Sequence, residues 1–538
     1  MKLNYDSIQN REVWERIGVR LPSFDWKDMY AETSAHPTWV HFGSGSLFRG
    51  FHAMLQQTLL EKKLVKGGLY TAETFDYEMV DASYAPYDNL SILVTLMPNG
   101  RLEKTVVGTV AGGLRDDPAF PKDYARLCEI FRSPSLQMIT FTITEKGYAL
   151  TGVDGKITPA AEEDFIAGPH KGKLAMSKVT SLLFERFRAG GAPIAVVSTD
   201  NCSHNGEKIR VGITTMAEKW LEKGLVPEEF VNWLENENIV SFPWTMIDKI
   251  TPRPAPAVEK ELKELGIEDI GVTVTSKGGY TAAFVNAEKP QYLVIEDRFP
   301  NGRPPLEKAG VYFTDRDTVN KVEKMKVSTC LNPLHTALAV YGCVLGYTLI
   351  ADEMRDPELR ALIERIGYTE GMPVVTDPGI IKPMDFIREV IDQRLPNPFM
   401  PDTPQRIACD TSQKMPIRFG ETIKSYMARS DLDVRDLTFI PLAIAGWLRY
   451  LLALDDEGRQ FACSSDPMLE TLQKQLQPII FGHPETVTAK LLNPILSNPV
   501  LFASDLVEVG LADKIIGMLR ELVAGPGAVR ATLKRYLD

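Results

Sequence analysis

The 538-residue sequence lacks the cysteine and histidine spacings that build metal centres and disulfide frameworks. Its six cysteines are scattered without a CxxC pair, and its seven histidines form no HExxH motif. Disulfide-rich folds and zinc sites depend on such spacings, so both are disfavoured. We therefore expect a functional site that contains no metal.

Long apolar runs and an excess of positive charge are lacking as well. No run of about eighteen apolar residues is present, which disfavours a membrane span. With 60 basic and 71 acidic residues the formal net charge is −11, so nucleic acid is not an expected partner. Residues 1–18 are polar and have no apolar signal-peptide core, and the expected location is cytoplasmic. These features do not indicate an oligomeric state.

A chain of this length predicts two or three domains. Residues 1–37 are polar and are interpreted as an N-terminal extension. From 38 to 285, apolar strand-like runs alternate with helical segments, which predicts an α/β domain with a mostly parallel sheet. From 286 to 538, amphipathic and apolar helical stretches predominate, which predicts a mainly α-helical second domain.

The segment HFGSGSLFRGFH (41–52) joins the first predicted strand to the first predicted helix. Gly43 and Gly45 would let the backbone approach a pyrophosphate at the helix N-terminus. Phe48 replaces the third glycine of GxGxxG, so the pattern fits an ordinary helix start equally well. Arg49 is either a phosphate partner or a surface arginine.

Two acidic residues follow the second predicted strand, where a dinucleotide-binding fold holds the ribose diol. These candidates are Glu73 and Asp76, which lie somewhat beyond the usual spacing of about 20 residues. No arginine lies beside Asp76, which favours NAD and leaves NADP open.

Three polar residues lie near the start of the apolar helix predicted at Pro333. Asn332 is a good N-cap residue, so capping explains it as well as catalysis does. His335 falls in the first turn, where the helix dipole favours a neutral ring. Lys326 is a candidate general base, although spacing alone favours a solvated lysine.

Other polar residues come directly after apolar runs, and each alone is explained by turn chemistry or a surface ion pair. The candidates are Glu145 in TITEKGY (142–148), Asn201 and Asn205 in STDNCSHNG (198–206), Asp248 in FPWTMIDKITP (242–252), and Arg406 and Lys414 in the segment 394–419. They gain weight only as a set.

As a set, these segments are typical of one family. Together with MKVSTCLNPLH (325–335), and in the same order, the chain resembles the polyol-specific long-chain dehydrogenases from about residue 38 to its C-terminus. This family includes mannitol dehydrogenase, fructuronate reductase and tagaturonate reductase. The resemblance implies a Rossmann-type nicotinamide-binding domain at 38–285, a substrate-binding helical domain at 286–538, NAD as cofactor and hydride transfer without a metal.

The resemblance also implies roles for individual residues. Lys326 would be the general acid/base, Asn201 and Asn332 would stabilise the developing alkoxide, and His335 would orient the substrate. Arg406, Lys414 and Asn205 would bind the substrate. The implied cofactor contacts are Gly43, Gly45, Ser46, Leu47, Arg49, Glu73, Asp76, Glu145 and Asp248.

The sequence departs from the family pattern in three places. The spacing from Lys326 to Asn332 is one residue longer than usual, which makes Lys324 a second candidate for the base. Leu47 replaces the usual phenylalanine and Phe51 the usual histidine near the glycine turn.

The expected reaction is the interconversion of D-fructuronate and D-mannonate, a step of hexuronate metabolism, with a small sugar acid as partner. Mannitol–fructose and altronate–tagaturonate exchange are the alternatives within the family. A cofactor-binding module without turnover is an alternative of another class, and the scattered cysteines and histidines leave little room for a metal-dependent alcohol dehydrogenase.

Overall fold

A computed structural model of the chain describes residues 1–152 and 155–537. The chain divides into two compact units, which we call unit 1 (residues 1–97 and 101–319) and unit 2 (residues 98–100 and 320–538). None of the described helices is both long enough and apolar enough to cross a bilayer.

A six-stranded parallel sheet forms the centre of unit 1. Its strands are β1 (Trp39–Phe42), β2 (Leu69–Glu73), β3 (Val110–Arg115), β4 (Met138–Phe141), β5 (Ile194–Ser198) and β6 (Val240–Ser241). They lie in the order β3-β2-β1-β4-β5-β6, and every neighbouring pair is parallel. This is the Rossmann order, in which ligands bind beyond the carboxyl ends of the strands where the order reverses, between β1 and β4. The predicted parallel α/β fold is confirmed.

The central strands are buried on both faces and mostly apolar because helices cover both sides of the sheet. Every residue of β1, β2, β4 and β5 is buried. The α-helices of unit 1 are Tyr5–Ile8, Arg11–Arg16, Trp26–Ala35, Ala53–Glu61, Glu78–Ser83, Pro121–Arg132, Pro159–Ala167, Ala175–Arg188, Asn205–Glu222, Glu228–Glu235 and Pro256–Glu264. A π-helical turn, Phe48–His52, precedes Ala53–Glu61.

Residues 1–37 belong to unit 1 and are not a detached extension. Strand Val19–Arg20 pairs in parallel with Leu102–Val107. Leu102–Val107 pairs in turn with Ser91–Leu96, and Ser91–Leu96 pairs with Phe284–Glu288. These four strands form a second sheet. The predicted extension is therefore corrected: these residues supply one edge of this sheet.

Unit 1 also continues beyond the predicted boundary at residue 285. Strands Tyr292–Glu296 and Tyr312–Thr314 form a three-stranded sheet with Thr245–Asp248. Thr273–Val274 and Tyr280–Thr281 form a separate two-stranded sheet. The division between the units falls at 319/320, within the helix Arg316–Met325.

Unit 2 is helical, as predicted. Helix Phe439–Leu451 packs against Asn332–Leu345 and Ala512–Leu522, and these three segments form its apolar centre. The other α-helices are Ile350–Glu353, Pro357–Glu364, Pro383–Glu389, Pro404–Ile407, Thr411–Met415, Glu421–Met427, Leu469–Leu476, Ala489–Leu496, Pro499–Phe502 and Ala528–Leu537. Its π-helical turns are Lys326–Cys330, Arg365–Gly371, Val390–Arg394 and Pro416–Gly420.

Candidate active site

The glycine turn lies at the carboxyl end of β1, at the reversal of strand order. Gly43 has φ +109°, and a Cβ there would lie 2.3 Å from the Thr142 carbonyl oxygen, so only glycine fits. A Cβ on Gly45 would meet nothing within 4 Å, so the backbone is open to an approaching group. The helical segment that follows β1 begins at Ser46, directly before the π-helical turn Phe48–His52, and Ser46 and Leu47 are half-buried. This turn fits the pyrophosphate of a dinucleotide.

Arg49 is fully buried inside unit 1. Its guanidinium donates to the carbonyl oxygen of Ala282 at 2.7 Å and to the Thr281 hydroxyl at 3.1 Å. Burial lowers the pKa of Arg49. This placement favours a structural role over the predicted pairing with a phosphate, because the side chain holds the strand that ends at Thr281.

The two predicted ribose-binding acids differ in their partners. One Glu73 oxygen accepts from the backbone N–H groups of Thr74, Phe75 and Asp76 at 3.0–3.2 Å, and the other accepts from the Ser44 N–H at 3.1 Å. Glu73 thus closes the loop after β2 and ties it to the glycine turn. Asp76 is half-buried and accepts from the Thr275 hydroxyl at 2.6 Å. This arrangement favours Asp76 over Glu73 for a ribose hydroxyl.

Asp200, a polar residue of STDNCSHNG to which the sequence assigned no role, connects the loops that follow β4 and β5. Its carboxylate accepts from the N–H groups of Ile143 at 2.9 Å and Thr144 at 3.0 Å and from the Tyr148 hydroxyl at 2.5 Å. Burial raises the pKa of Asp200, and these three hydrogen bonds oppose that shift. Thr144 has φ +65° and ψ 158°, a conformation that strains any residue except glycine. Asn201, the exposed residue next to Asp200, lies at this same edge.

Asn205 is buried, and its side chain is used within the protein. Its amide donates to the Asp200 carbonyl at 3.0 Å and to the Thr245 hydroxyl at 2.8 Å, and its oxygen accepts from the Thr245 N–H at 3.0 Å. The predicted substrate contact is corrected accordingly, because these bonds satisfy the amide. Asn205 instead fixes the strand that ends in the buried Asp248.

Glu145 is the remaining predicted cofactor contact in this unit. It is exposed and forms an ion pair of 2.6 Å with Lys208. An exposed pair of this kind contributes little to stability, so Glu145 is accessible to a ligand at small cost.

In unit 2, Lys326 opens the π-helical turn Lys326–Cys330 and is 4% exposed. A π-helical turn holds one more residue than an α-helical turn, which accommodates the longer spacing between Lys326 and Asn332. Lys324 is half exposed and lies 3.4 Å from Glu421. The buried Lys326 is therefore favoured over Lys324 as the candidate base.

Asn332 does not cap the helix. Leu331 takes the N-cap position, no side chain caps this end, and Asn332 is the first helical residue. The capping alternative for Asn332 is therefore removed, and its half-buried side chain lies on the first turn.

His335 lies one turn further along the helix and is neutral at pH 7. Its Nε2 is 3.5 Å from the Asp402 carboxylate. Burial lowers the pKa of His335 to about 4; Asp402 opposes the shift, and the positive charges of Arg418, Arg406 and Arg394 add to it. Burial is thus the main cause of the neutral ring.

The two predicted substrate cations, Arg406 and Lys414, both have partners within unit 2. Arg406 is paired with Asp402. Lys414 donates to the carbonyl oxygens of Ile407 and Cys409, and burial lowers its pKa. A third cation, Arg418, was missed by sequence reasoning and lies one helical turn after Lys414; it donates to the Thr336 hydroxyl.

A Rossmann sheet with a glycine turn at its switch point, joined to a helical unit with a buried lysine, defines an oxidoreductase of the dinucleotide-binding class. The family models for the mannitol dehydrogenase Rossmann domain and C-terminal domain match residues 37–308 and 318–516. The chain belongs to the mannitol dehydrogenase family.

Relatives of known name support this assignment over the full length. The chain is 53% identical to D-mannonate oxidoreductase of Thermotoga maritima over 100% of this chain and 99% of that protein. A substrate-free D-sorbitol dehydrogenase structure matches with TM-score 0.79 at 25% identity, covering 96% of this chain and 97% of the other. Pseudomonas fluorescens mannitol 2-dehydrogenase, in ternary complex with NAD and D-mannitol, matches with TM-score 0.69 at 25% identity, covering 100% and 99%.

Proposed function

We propose that the protein interconverts D-fructuronate and D-mannonate with NAD(H) as cofactor. The observation that carries this proposal is the full-length similarity, at 53% identity, to a D-mannonate oxidoreductase. The charges near His335 agree with a sugar acid, because three arginines and one aspartate act on that ring.

The cofactor would be held by unit 1. The pyrophosphate would meet the turn at Gly43 and Gly45 and the helix that begins at Ser46, and Asp76 would accept from an adenosine ribose hydroxyl. When bound, the nicotinamide supplies the hydride for ketone reduction or accepts it in the reverse direction.

Lys326 would move the proton. In the reduction direction its ammonium donates a proton to the oxygen that becomes the new hydroxyl, and in oxidation the neutral amine removes that proton. The amides of Asn201 and Asn332 would donate hydrogen bonds to the same oxygen as its charge develops. The neutral His335 would hydrogen-bond a neighbouring hydroxyl and orient the substrate.

Two matched lysine variants test this assignment. We expect Lys326→Ala to lower kcat by roughly 100-fold or more with an unchanged melting temperature, because the proton donor is lost. Lys324→Ala removes the exposed lysine two positions away and should leave kcat within about 2-fold of wild type. A Lys326→Ala variant that keeps most of the wild-type kcat would contradict the assignment.

A substrate panel tests the reaction itself. Wild-type protein is assayed with D-fructuronate, D-tagaturonate and D-fructose, each with NADH and NADPH, by the loss of nicotinamide absorbance. We expect the highest kcat/KM for D-fructuronate with NADH. A preference for D-fructose would favour the mannitol alternative, and cofactor binding without turnover on any substrate would favour a silent module.

A further inference from the structure

The buried arginines of this protein are used in two different ways. Arg186 donates to five main-chain carbonyl oxygens, and Arg449 donates to three. These guanidiniums hold chain segments together. Arg418 is half-buried, yet its only hydrogen bond within the described residues goes to the Thr336 hydroxyl. Most of its five donors therefore remain available to a ligand.

Arg418 also has no acidic partner in the part of the chain that the structure describes. Burial alone lowers the pKa of Arg418 to about 10, with no carboxylate to oppose the shift. A desolvated guanidinium without a counter-ion is costly, because its lost hydration is not repaid. Binding an anion would remove this cost.

Arg418 lies beside the helix turn that carries His335, because its hydrogen-bond partner Thr336 is the next residue along that helix. It exerts the strongest cationic influence on His335, ahead of Arg406 and Arg394. After burial, the positive charge of Arg418 contributes most to lowering the pKa of Lys414. Of these cations, Arg406 is already neutralised by Asp402, and Lys414 is occupied by main-chain carbonyl oxygens.

We propose that Arg418 binds the carboxylate of the sugar-acid substrate and thereby selects a sugar acid over a neutral polyol. This inference rests on the proposed function, since it names the residue that binds the carboxylate of the proposed substrate. A planar guanidinium matches a carboxylate through two parallel hydrogen bonds, whereas the hydroxymethyl group of a polyol makes one and brings no charge. Thr336 would hold the guanidinium in the receiving orientation.

The test compares one variant on two substrates that differ at that group. We expect Arg418→Met to lower kcat/KM for D-fructuronate by about 100-fold, mainly through KM, because a charge-assisted bond to a desolvated carboxylate is lost. For D-fructose, kcat/KM should change by less than about 3-fold. Methylguanidine added to the variant should restore part of the fructuronate activity, and Arg418→Lys should retain an intermediate KM.

The exposed Arg388→Met, which removes a surface ion pair with Asp385 in the same unit, is the matched control and should change neither substrate. Equal losses on both substrates, or no loss on D-fructuronate, would overturn the role of Arg418. If wild type reduces D-tagaturonate and not D-fructuronate, the proposed substrate fails, and the same variant comparison on D-tagaturonate then decides the role of Arg418. Wild-type activity confined to neutral sugars would overturn both proposals.

Discussion

Asp116 in unit 1 and Glu353 in unit 2 are fully buried carboxylic acids without a hydrogen-bond partner among the described residues. Burial raises the pKa of Asp116 to about 7 and the pKa of Glu353 well above its usual value, with Asp356 and Asp352 adding to the second shift. A Cβ on Gly342 would lie 2.0 Å from a Glu353 oxygen, so the backbone at Gly342 packs directly against this carboxyl group. Each acid is therefore folded into the protein in its protonated form at mildly acidic pH.

Glu353 makes stability depend on pH in a definite direction. Its folded pKa is raised above the unfolded value of 4.5, so its contribution is fully present below about pH 4.5 and is lost as pH rises. The loss approaches about 1.4 kcal/mol per pH unit while only the unfolded chain is ionised. We expect Glu353→Gln, which stays neutral, to gain melting temperature relative to wild type progressively from pH 5 to pH 8.

The exposed Glu457→Gln is the control for this measurement and should follow the wild-type curve at every pH. Thermal unfolding of the three proteins across the pH series provides the comparison. Parallel curves for wild type and Glu353→Gln would show that the buried side chain is not protonated in the folded protein.

At the scale of elements, the strand ends of unit 1 are tied by few side chains. Asp200 holds the loop after β4 through two backbone N–H groups and Tyr148, and Asn205 holds Thr245 beside the loop after β5. The loop that carries Asn201 and the strand Thr245–Asp248, which ends in Asp248, are therefore both held through the segment 200–205 after β5. The strained Thr144 is kept in place by the same carboxylate.

Replacing Asp200 by asparagine tests this arrangement. The amide nitrogen of Asn would face a donor, so we expect kcat to fall by about 10-fold or more while the KM for NADH changes less. Loss of hydrogen bonds to a buried charged group should cost about 1–3 kcal/mol of stability. Tyr148→Phe removes one of the three donors and leaves both backbone bonds, so a smaller loss of kcat is expected. If Asp200→Asn loses the expected stability but keeps the kcat of wild type, the role of Asp200 is purely structural.

The sequence predicted those elements whose patterns are strong. The buried strands β1, β4 and β5 are mostly apolar, and the three central helices of unit 2 are apolar or amphipathic runs of 11 to 14 residues, so the hydrophobic pattern indicated both. The two-residue strand Val19–Arg20 is too short to show a period, and its partner lies more than eighty residues away, at Leu102–Val107. The strand Tyr292–Glu296 was missed because it falls among polar turns, and this placed the boundary too early.

The candidate site shows the same limit. The residue types were found, but sequence cannot tell a ligand-binding amide from a structural one. Asn205 bonds to Thr245, forty positions away, and Arg49 bonds to Thr281, more than two hundred positions away. The sequence around Arg418 gave no signal, because its distinguishing feature is the lack of an acidic partner among the described residues of unit 2, and that lack becomes visible only in the folded protein.

At the scale of the whole molecule, the predicted functions are divided between the two units. Unit 1 contains the glycine turn, Asp76 and Asn201, while unit 2 contains Lys326, His335 and Arg418. If the proposed roles hold, turnover requires that each unit be folded.

Residues 1–37 contribute to the stability of unit 1. Within the segment, Trp14 is fully buried and donates to the Ser7 carbonyl at 3.2 Å. Two bonds leave the segment: the Thr33 hydroxyl accepts from the Gly68 N–H at 2.7 Å, and Arg126 donates to the Ser34 carbonyl at 2.7 Å. The segment thus joins the rest of unit 1 through side chains as well as through Val19–Arg20.

Trp14→Ala should therefore destabilise the protein by about 3–5 kcal/mol, the usual cost of the cavity left by a buried aromatic side chain. Tyr30→Ala, at a position 49% exposed in the same segment, should cost less than about 1 kcal/mol and serves as the control. Deleting residues 1–37 should leave unit 1 without an edge strand and without the cover for Gly68, giving aggregated protein that does not bind NADH. A deletion variant that matches wild type in melting temperature and in NADH binding would restore the view of this segment as a dispensable extension.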